Sequence, residues 1–172
     1  MATLIELASN ELVVRLDPAL ELGELEERCI YVFPHVIDQI EAMMGMDSPT
    51  GHELSATEQF YEFLAHFASG GEMQVPQQFH DLRHRADGIW ELKTRDLRFF
   101  GWFHQIDCFV CTDLADATRV KHGPPGSTIK GSLYHGYGNE VVRRRNGLNL
   151  DHPKFISGVN PQDVVSNTNL RQ

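Results

Sequence analysis

The longest stretch of patterned apolar and polar positions runs from residue 88 to residue 112 and predicts three short strands. Aromatic and β-branched residues dominate it, and such residues suit a pleated, half-buried surface. The polar run Thr94-Arg95-Asp96 separates the first two predicted strands, 88–94 and 97–104, and the third covers about 106–112. Short polar breaks between strands are typical of hairpins, so we predict an antiparallel three-stranded meander.

A helix beginning after Ser55 is the second clear prediction. Ser55 and Glu58 have the spacing of a capping box, in which each residue satisfies a backbone donor of the other. Apolar residues then recur at helical spacing, at Phe60, Phe63, Leu64 and Phe67. We expect this helix to cover one face of the meander, which makes the fold class α+β.

Weaker patterns predict the remaining elements. They are one or two strands within 4–16, a helix starting at Asp17-Pro18, a helix over 35–44, an irregular segment over 113–133 and a helix over 137–148. This organisation divides the chain into an acidic, mainly helical N-terminal extension (1–54), a main domain (55–150) and a loosely ordered C-terminal tail (151–172).

Charge is distributed unevenly between the two halves of the chain. Residues 1–80 hold two basic and fourteen acidic residues, a net charge of −12, whereas residues 81–154 hold twelve basic and nine acidic residues, a net charge of +3. The net charge of the whole chain is −9. Because local potential steers a charged ligand, a nucleic-acid surface is expected only in the second half.

Composition and the cysteine count indicate the cellular compartment of the protein. No apolar run is long enough to cross a bilayer, and the N-terminus lacks the pattern of a signal peptide. Three cysteines are too few, and odd in number, for a secreted disulfide framework. We therefore expect a cytoplasmic protein with no membrane partner.

Four segments together resemble the RelE/HigB-like toxin superfamily, especially its phage-derived HigB-like branch. They are Phe60-Tyr61-Glu62-Phe63-Leu64, Phe79-His80-Asp81-Leu82-Arg83, Gly88-Ile89-Trp90-Glu91-Leu92-Lys93 and Leu97-Arg98-Phe99-Phe100. The resemblance covers about residues 55–150. It implies a small α+β fold, an endoribonuclease activity on mRNA that needs no metal or cofactor, action at the ribosome, and a neutralising antitoxin as partner.

The resemblance also implies site residues. Arg98, which opens the second hairpin strand, is expected to stabilise phosphate charge, and Lys93 supplies the basic position of the first strand. Arg119 or Lys121 would follow the third strand, and Tyr134 or His135 would move a proton. Further RNA contacts are expected from the remaining basic residues of this half, namely Arg95, Arg143, Arg144 and Arg145.

Two departures from the family pattern support an alternative function. Ile89 and Glu91 stand where active members often carry lysines, and the segment 112–116 lacks a basic turn. A non-catalytic phage-related accessory or regulatory module with the same fold is therefore the second hypothesis.

Neither of two possible metal motifs predicts a metal site. Cys108 and Cys111 are three residues apart, but a strand would point them to opposite faces, so we expect inert buried thiols. His80 and His84 would share a face only in a helix, and the pattern predicts none there.

Overall fold

The computed structural model describes residues 1–83, 85–123 and 132–170. Within these residues eight strands form two sheets, with bounds β1 Val14–Arg15, β2 Cys29–Val32, β3 Met73–Val75, β4 Phe79–Asp81, β5 Trp90–Lys93, β6 Leu97–Gln105, β7 Cys108–Asp116 and β8 Thr168–Leu170. The main sheet has the order β1-β2-β7-β6-β5-β4, and β3 pairs with β8 in a small second sheet. The α+β class is thereby confirmed. His84 lies outside the described residues.

The predicted antiparallel meander is confirmed as β5, β6 and β7. Leu92 pairs with Phe99 and Phe99 with Leu114, so one apolar row crosses all three strands. In the main sheet only the β2–β7 pair is parallel. The third strand continues through Asp116, beyond the predicted end.

The described part of the chain also contains six helices: α1 Leu4–Ser9, α2 Pro34–Glu41, α3 Ala56–Ala68, α4 Ala117–His122, α5 Ser132–Gly147 and α6 Pro161–Val164. The predicted capping box at α3 is present, because Ser55 and Glu58 each accept a hydrogen bond from the other's backbone N–H. Phe60 and Phe63 of α3 stack on Phe99 of the meander, with ring centroids 6.0 and 5.4 Å apart. The expected cover of one sheet face by this helix is confirmed.

The helix predicted from Asp17 is wrong. The carboxylate of Asp17 accepts a hydrogen bond from the backbone N–H of Ala19, whose φ of 47° is not helical. Leu22 and Leu25 are 107% and 76% exposed, so a helix there would bury no apolar face, and packing supplies most of a helix's stability in proteins. Of the one or two strands predicted within 4–16, β1 at Val14–Arg15 is confirmed, whereas the first part of that range forms α1, which begins with its own capping box at Thr3 and Glu6.

The segment 113–133, predicted as irregular, is ordered where it is described. Asp116 ends β7 and caps α4 by accepting a hydrogen bond from the backbone N–H of Arg119. The following helix, α5, begins at Ser132, five residues before its predicted start.

The predicted N-terminal extension (1–54) and the predicted C-terminal tail (151–172) both contribute strands to the sheets. Strand β2 lies between β1 and β7, with Ile30 buried in the core. In the C-terminal tail, which was predicted to be loosely ordered, Val164 and Val165 are buried and β8 pairs with β3. The polar composition of this segment did not indicate that it packs against the rest of the chain. Among the described residues no helix is long and apolar enough to span a membrane.

Candidate functional site

The two faces of the main sheet differ in polarity. Trp90 and Leu92 lie on the α3 face, whereas Glu91 and Lys93 point to the opposite face because side chains alternate along a strand. On that opposite face Phe100 is covered by α5, whose Tyr137 ring stacks on it with centroids 4.5 Å apart.

A buried carboxylate, Glu91, is the centre of a polar group on this face. Its Oε1 lies 3.1 Å from Nε of Arg98 and accepts a hydrogen bond from the hydroxyl of Tyr134 at 3.2 Å. Its Oε2 lies 3.1 Å from Nε2 of His80 on the edge strand β4. We call His80, Glu91, Lys93, Arg98, Lys121 and Tyr134 the Glu91 cluster.

Strand register explains why these side chains meet. His80 is paired with Glu91 across β4 and β5, and Lys93 is paired with Arg98 across β5 and β6. Residues paired in this way share one face of the sheet, so four members of the cluster converge without any unusual backbone. Tyr134 belongs to α5, which packs on this face of the sheet, and its hydroxyl reaches Glu91.

The cluster perturbs the titration of its members. Burial raises the pKa of Glu91, and the charges of Arg98 and Lys93 oppose that rise. Burial also lowers the pKa of Lys93, with Arg98 and Lys121 acting in the same direction. Burial and the nearby Glu91 charge raise the pKa of Tyr134 to about 12, so its hydroxyl keeps its proton at neutral pH.

This arrangement combines proton transfer with excess positive charge. An imidazole held by a carboxylate can accept or donate a proton near neutrality, and Lys93, Arg98 and Lys121 surround a single carboxylate. Glu91 and Arg98 are buried, whereas His80, Lys93 and Tyr134 are half-buried and Lys121 is exposed. An anion approaching from solvent therefore meets the lysines first, because Nδ1 of His80 is buried and its Nε2 lies beside Glu91.

A surface groove of about 500 Å³ adjoins Lys93. It runs between α3 and the β5–β6 turn, and its lining includes His52, His66 and Arg95. Arg95 is exposed and donates a hydrogen bond from Nε to Thr50 Oγ1 at 3.1 Å. Glu62 and the apolar side chains Leu54 and Phe63 line the same groove, so its lining is mixed in charge and polarity.

The structure brings together four of the six catalytic residues expected from the sequence: Lys93, Arg98, Lys121 and Tyr134. The other two expected residues, Arg119 and His135, lie outside the Glu91 cluster. Arg119 lines a different cavity of about 270 Å³ beside Tyr137, and His135 is exposed on α5.

The expected RNA contacts of the Arg143–Arg145 run have intramolecular partners instead. Arg143 and Arg144 both donate hydrogen bonds to Glu140. The guanidinium of the buried Arg145 lies 3.6 Å from the ring centroid of Phe155 and donates a hydrogen bond to the carbonyl of Asp87. Of the four expected RNA-contacting arginines, Arg95 alone lines the groove beside Lys93.

Sequence reasoning missed His80 and Glu91 as site residues. Glu91 was interpreted as a missing lysine, and His80 was considered only together with His84. Their pairing depends on β4, a strand of three residues whose register with β5 has no local signal. The alternation that places Glu91 and Lys93 on one face was the available clue.

Comparison with known proteins adds no relative. No family model, no curated protein and no solved structure matches the chain. Within residues 1–83, 85–123 and 132–170, no group of three or more histidine, cysteine or acidic side chains has the arrangement of a metal site.

Proposed function

We propose that the chain is a metal-independent endoribonuclease acting on mRNA in the cytoplasm, the toxin component of a RelE/HigB-like toxin–antitoxin system. The observation that carries the proposal is the contact of His80 with the buried Glu91 beside Lys93 and Lys121. His80 and Lys93 share this face of the sheet, and Lys93 also lines the groove of about 500 Å³.

The chemistry would use the RNA's own nucleophile. The ribose 2′-OH attacks the adjacent phosphorus, its proton passes to His80, and the bond to the 5′ oxygen breaks to leave a 2′,3′-cyclic phosphate. Lys93, whose pKa is lowered by burial, donates the proton that the leaving 5′ oxygen needs. Lys121 stabilises the extra negative charge on the phosphate.

Arg98 and Tyr134 act through Glu91 in this scheme. Nη1 of Arg98 donates hydrogen bonds to the carbonyls of Thr94 and Leu97 at 2.6 and 2.7 Å, while its Nε lies beside Glu91. These contacts hold the carboxylate in place, and the carboxylate holds His80. Arg98 is therefore a positioning residue here, and the phosphate contacts are assigned to the lysines.

The burial of Arg98 is also the observation that favours the second candidate, a non-catalytic regulatory module. An arginine 6% exposed and engaged by one carboxylate and two carbonyls cannot reach a phosphate without leaving them. In that module the Glu91 cluster stabilises the sheet, and the groove binds a partner without cleaving it.

An RNA cleavage assay separates the two functions. Purified chain is incubated with mRNA in EDTA, with and without ribosomes, and products are tested for 2′,3′-cyclic phosphate ends. We expect cleavage to persist in EDTA and His80→Gln to slow it about 100- to 10,000-fold, the usual contribution of general acid–base catalysis.

His135→Gln is the matched control, because His135 is exposed on α5 outside the cluster. It should cleave at the unmodified rate. Loss of cleavage in EDTA, or equal rates for His80→Gln and the parent chain, would overturn the mechanism. Absence of cleavage under both conditions, with no growth arrest on expression in a bacterium, would establish the non-catalytic module instead.

A further inference from the structure

Cys29 and Cys108 face each other at the start of two neighbouring strands. They are register partners in the parallel pair β2–β7, and each thiol affects the pKa of the other. Neighbouring strands lie about 4.8 Å apart, within the Cα separation of roughly 4.4–6.8 Å that disulfides accept. Cys111 is fully buried and pairs with Val32 instead.

The surroundings make the two thiols unequal. Cys29 is half-buried beside a small surface cavity of about 130 Å³ that Arg15, Glu26 and Asp107 also line. The interaction with Cys108 lowers the pKa of Cys29, burial opposes this effect, and Arg15 supports it. The same interaction and burial raise the pKa of Cys108. The thiolate therefore forms on Cys29, and Cys108 keeps its proton.

We propose that Cys29 and Cys108 are a peroxide-sensitive dithiol that closes to a disulfide between β2 and β7. The Cys29 thiolate attacks one oxygen of hydrogen peroxide, the O–O bond breaks, and the departing hydroxide takes up a proton as water. Cys108 then loses its proton and attacks the sulfur of the resulting Cys29 sulfenic acid, whose S–O bond breaks to release a second water. Two thiols lose two electrons and two protons, and the peroxide is reduced to two waters.

The site is independent of the proposed ribonuclease activity. Its residues lie on β2 and β7, whereas the Glu91 cluster lies on β4, β5, β6, α4 and α5. A thiol reductant should reopen the bond by thiol–disulfide exchange.

Peptide mapping tests the pairing directly. The full chain is treated with hydrogen peroxide, unreacted thiols are blocked with N-ethylmaleimide, and the protein is digested with chymotrypsin, which cleaves after Phe109 and so separates Cys108 from Cys111. We expect a peptide that links Cys29 to Cys108, alkylated Cys111, and loss of the linked peptide after dithiothreitol. A link to Cys111, links between molecules, or over-oxidised Cys29 without a link would overturn the proposal.

Variants test the assigned roles. Cys111→Ser should form the same bond, and Cys108→Ala should stop at a Cys29 sulfenic acid that dimedone traps. Arg15→Gln should slow reaction of Cys29 about threefold or more, because a cation favours the thiolate, and Glu26→Gln should accelerate it. Equal rates in these two surface variants would show that Cys29 is not activated as described. If Cys108→Ala fails to fold, the peptide map of the unmodified chain tests the proposed Cys29–Cys108 bond.

Discussion

Replacing Arg98 with methionine keeps an unbranched side chain of similar length and removes the guanidinium from a buried ion pair. Glu91, which is fully buried, then loses the cation 3.1 Å from its Oε1. The carbonyls of Thr94 and Leu97 lose the Nη1 donor as well. Removing one member of a buried pair typically costs about 3–5 kcal/mol, because the remaining charge stays desolvated. We expect a loss of that size in the free energy of unfolding at neutral pH.

Removing both charges should cost less than removing one. In the double variant Glu91→Leu, Arg98→Met no charge is left unpaired, and the remaining cost of about 1–2 kcal/mol comes from the two carbonyls that lose their donor. The double variant should therefore cost about 2–3 kcal/mol less than Arg98→Met alone, and the costs of the two single variants should not add.

The pH dependence has a definite sign. Burial raises the pKa of Glu91 above its ordinary value of 4.5, so the folded state binds the proton more tightly than the unfolded state. Stability is consequently lost as pH rises through the interval between 4.5 and the folded pKa. Without Arg98 the pKa rises further, so the deficit of Arg98→Met should be larger at pH 8 than at pH 5.

Urea unfolding followed by fluorescence measures these quantities, since Trp90 and Trp102 are both fully buried. Arg143→Met is the matched control and should cost less than about 1 kcal/mol, because the ion pair that it removes, with Glu140, is exposed to solvent. If Arg98→Met were as stable as the parent, or if the single-variant costs simply added in the double variant, the pair would not be the buried unit described here.

Four further variants test other parts of the structure by the same unfolding measurement. Glu140→Gln should cost less than about 1 kcal/mol at pH 7 and less still at pH 3, because hydrogen bonds from two arginines lower the pKa of Glu140 to about 2 and this stabilisation is lost as pH falls towards that value. Phe99→Ala should cost about 3–5 kcal/mol, since the ring is buried between two stacked phenylalanines of α3. Gly88→Ala should destabilise the chain, because φ is 66° and a Cβ would overlap the ring of Phe155, whereas Gly136→Ala in α5 meets no atom and should stabilise it by up to about 1 kcal/mol.

The sequence predicted the elements that local signals determine. The meander follows from alternation and the polar break at Thr94-Arg95-Asp96, and α3 follows from Ser55 and Glu58. The insertion of β2 beside β7 could not be predicted in this way, because Cys29 and Cys108 are far apart in sequence and parallel pairing has no local turn. The helix predicted at Asp17 is wrong for a different reason. Its capping residues are favourable, but the segment that follows exposes Leu22 and Leu25 instead of packing them.

Four of the residues expected from the resemblance, Lys93, Arg98, Lys121 and Tyr134, belong to the Glu91 cluster, and that they act on RNA stays a prediction. From the sequence, Glu91 was noted only as a residue that stands where family members carry a lysine. Alternation correctly put Glu91 beside Lys93; what it could not indicate is that α5 covers this face and buries the carboxylate. Because Glu91 is buried, its carboxylate lies beside Nε2 of His80 instead of facing solvent.

A buried ion pair is weak evidence for stability alone, because two apolar side chains of similar volume stabilise a core at least as well. The Glu91–Arg98 pair has a second consequence: it fixes the carboxylate that contacts His80 and Tyr134 at the solvent side of the sheet. If that positioning serves cleavage, Glu91→Leu, Arg98→Met should remain folded yet lose activity, and its residual rate should no longer follow the titration of a histidine. If the pair serves only the fold, the same variant should bind RNA or a partner as the parent does. Stability and activity measured on this one variant therefore separate the ribonuclease from the binding module.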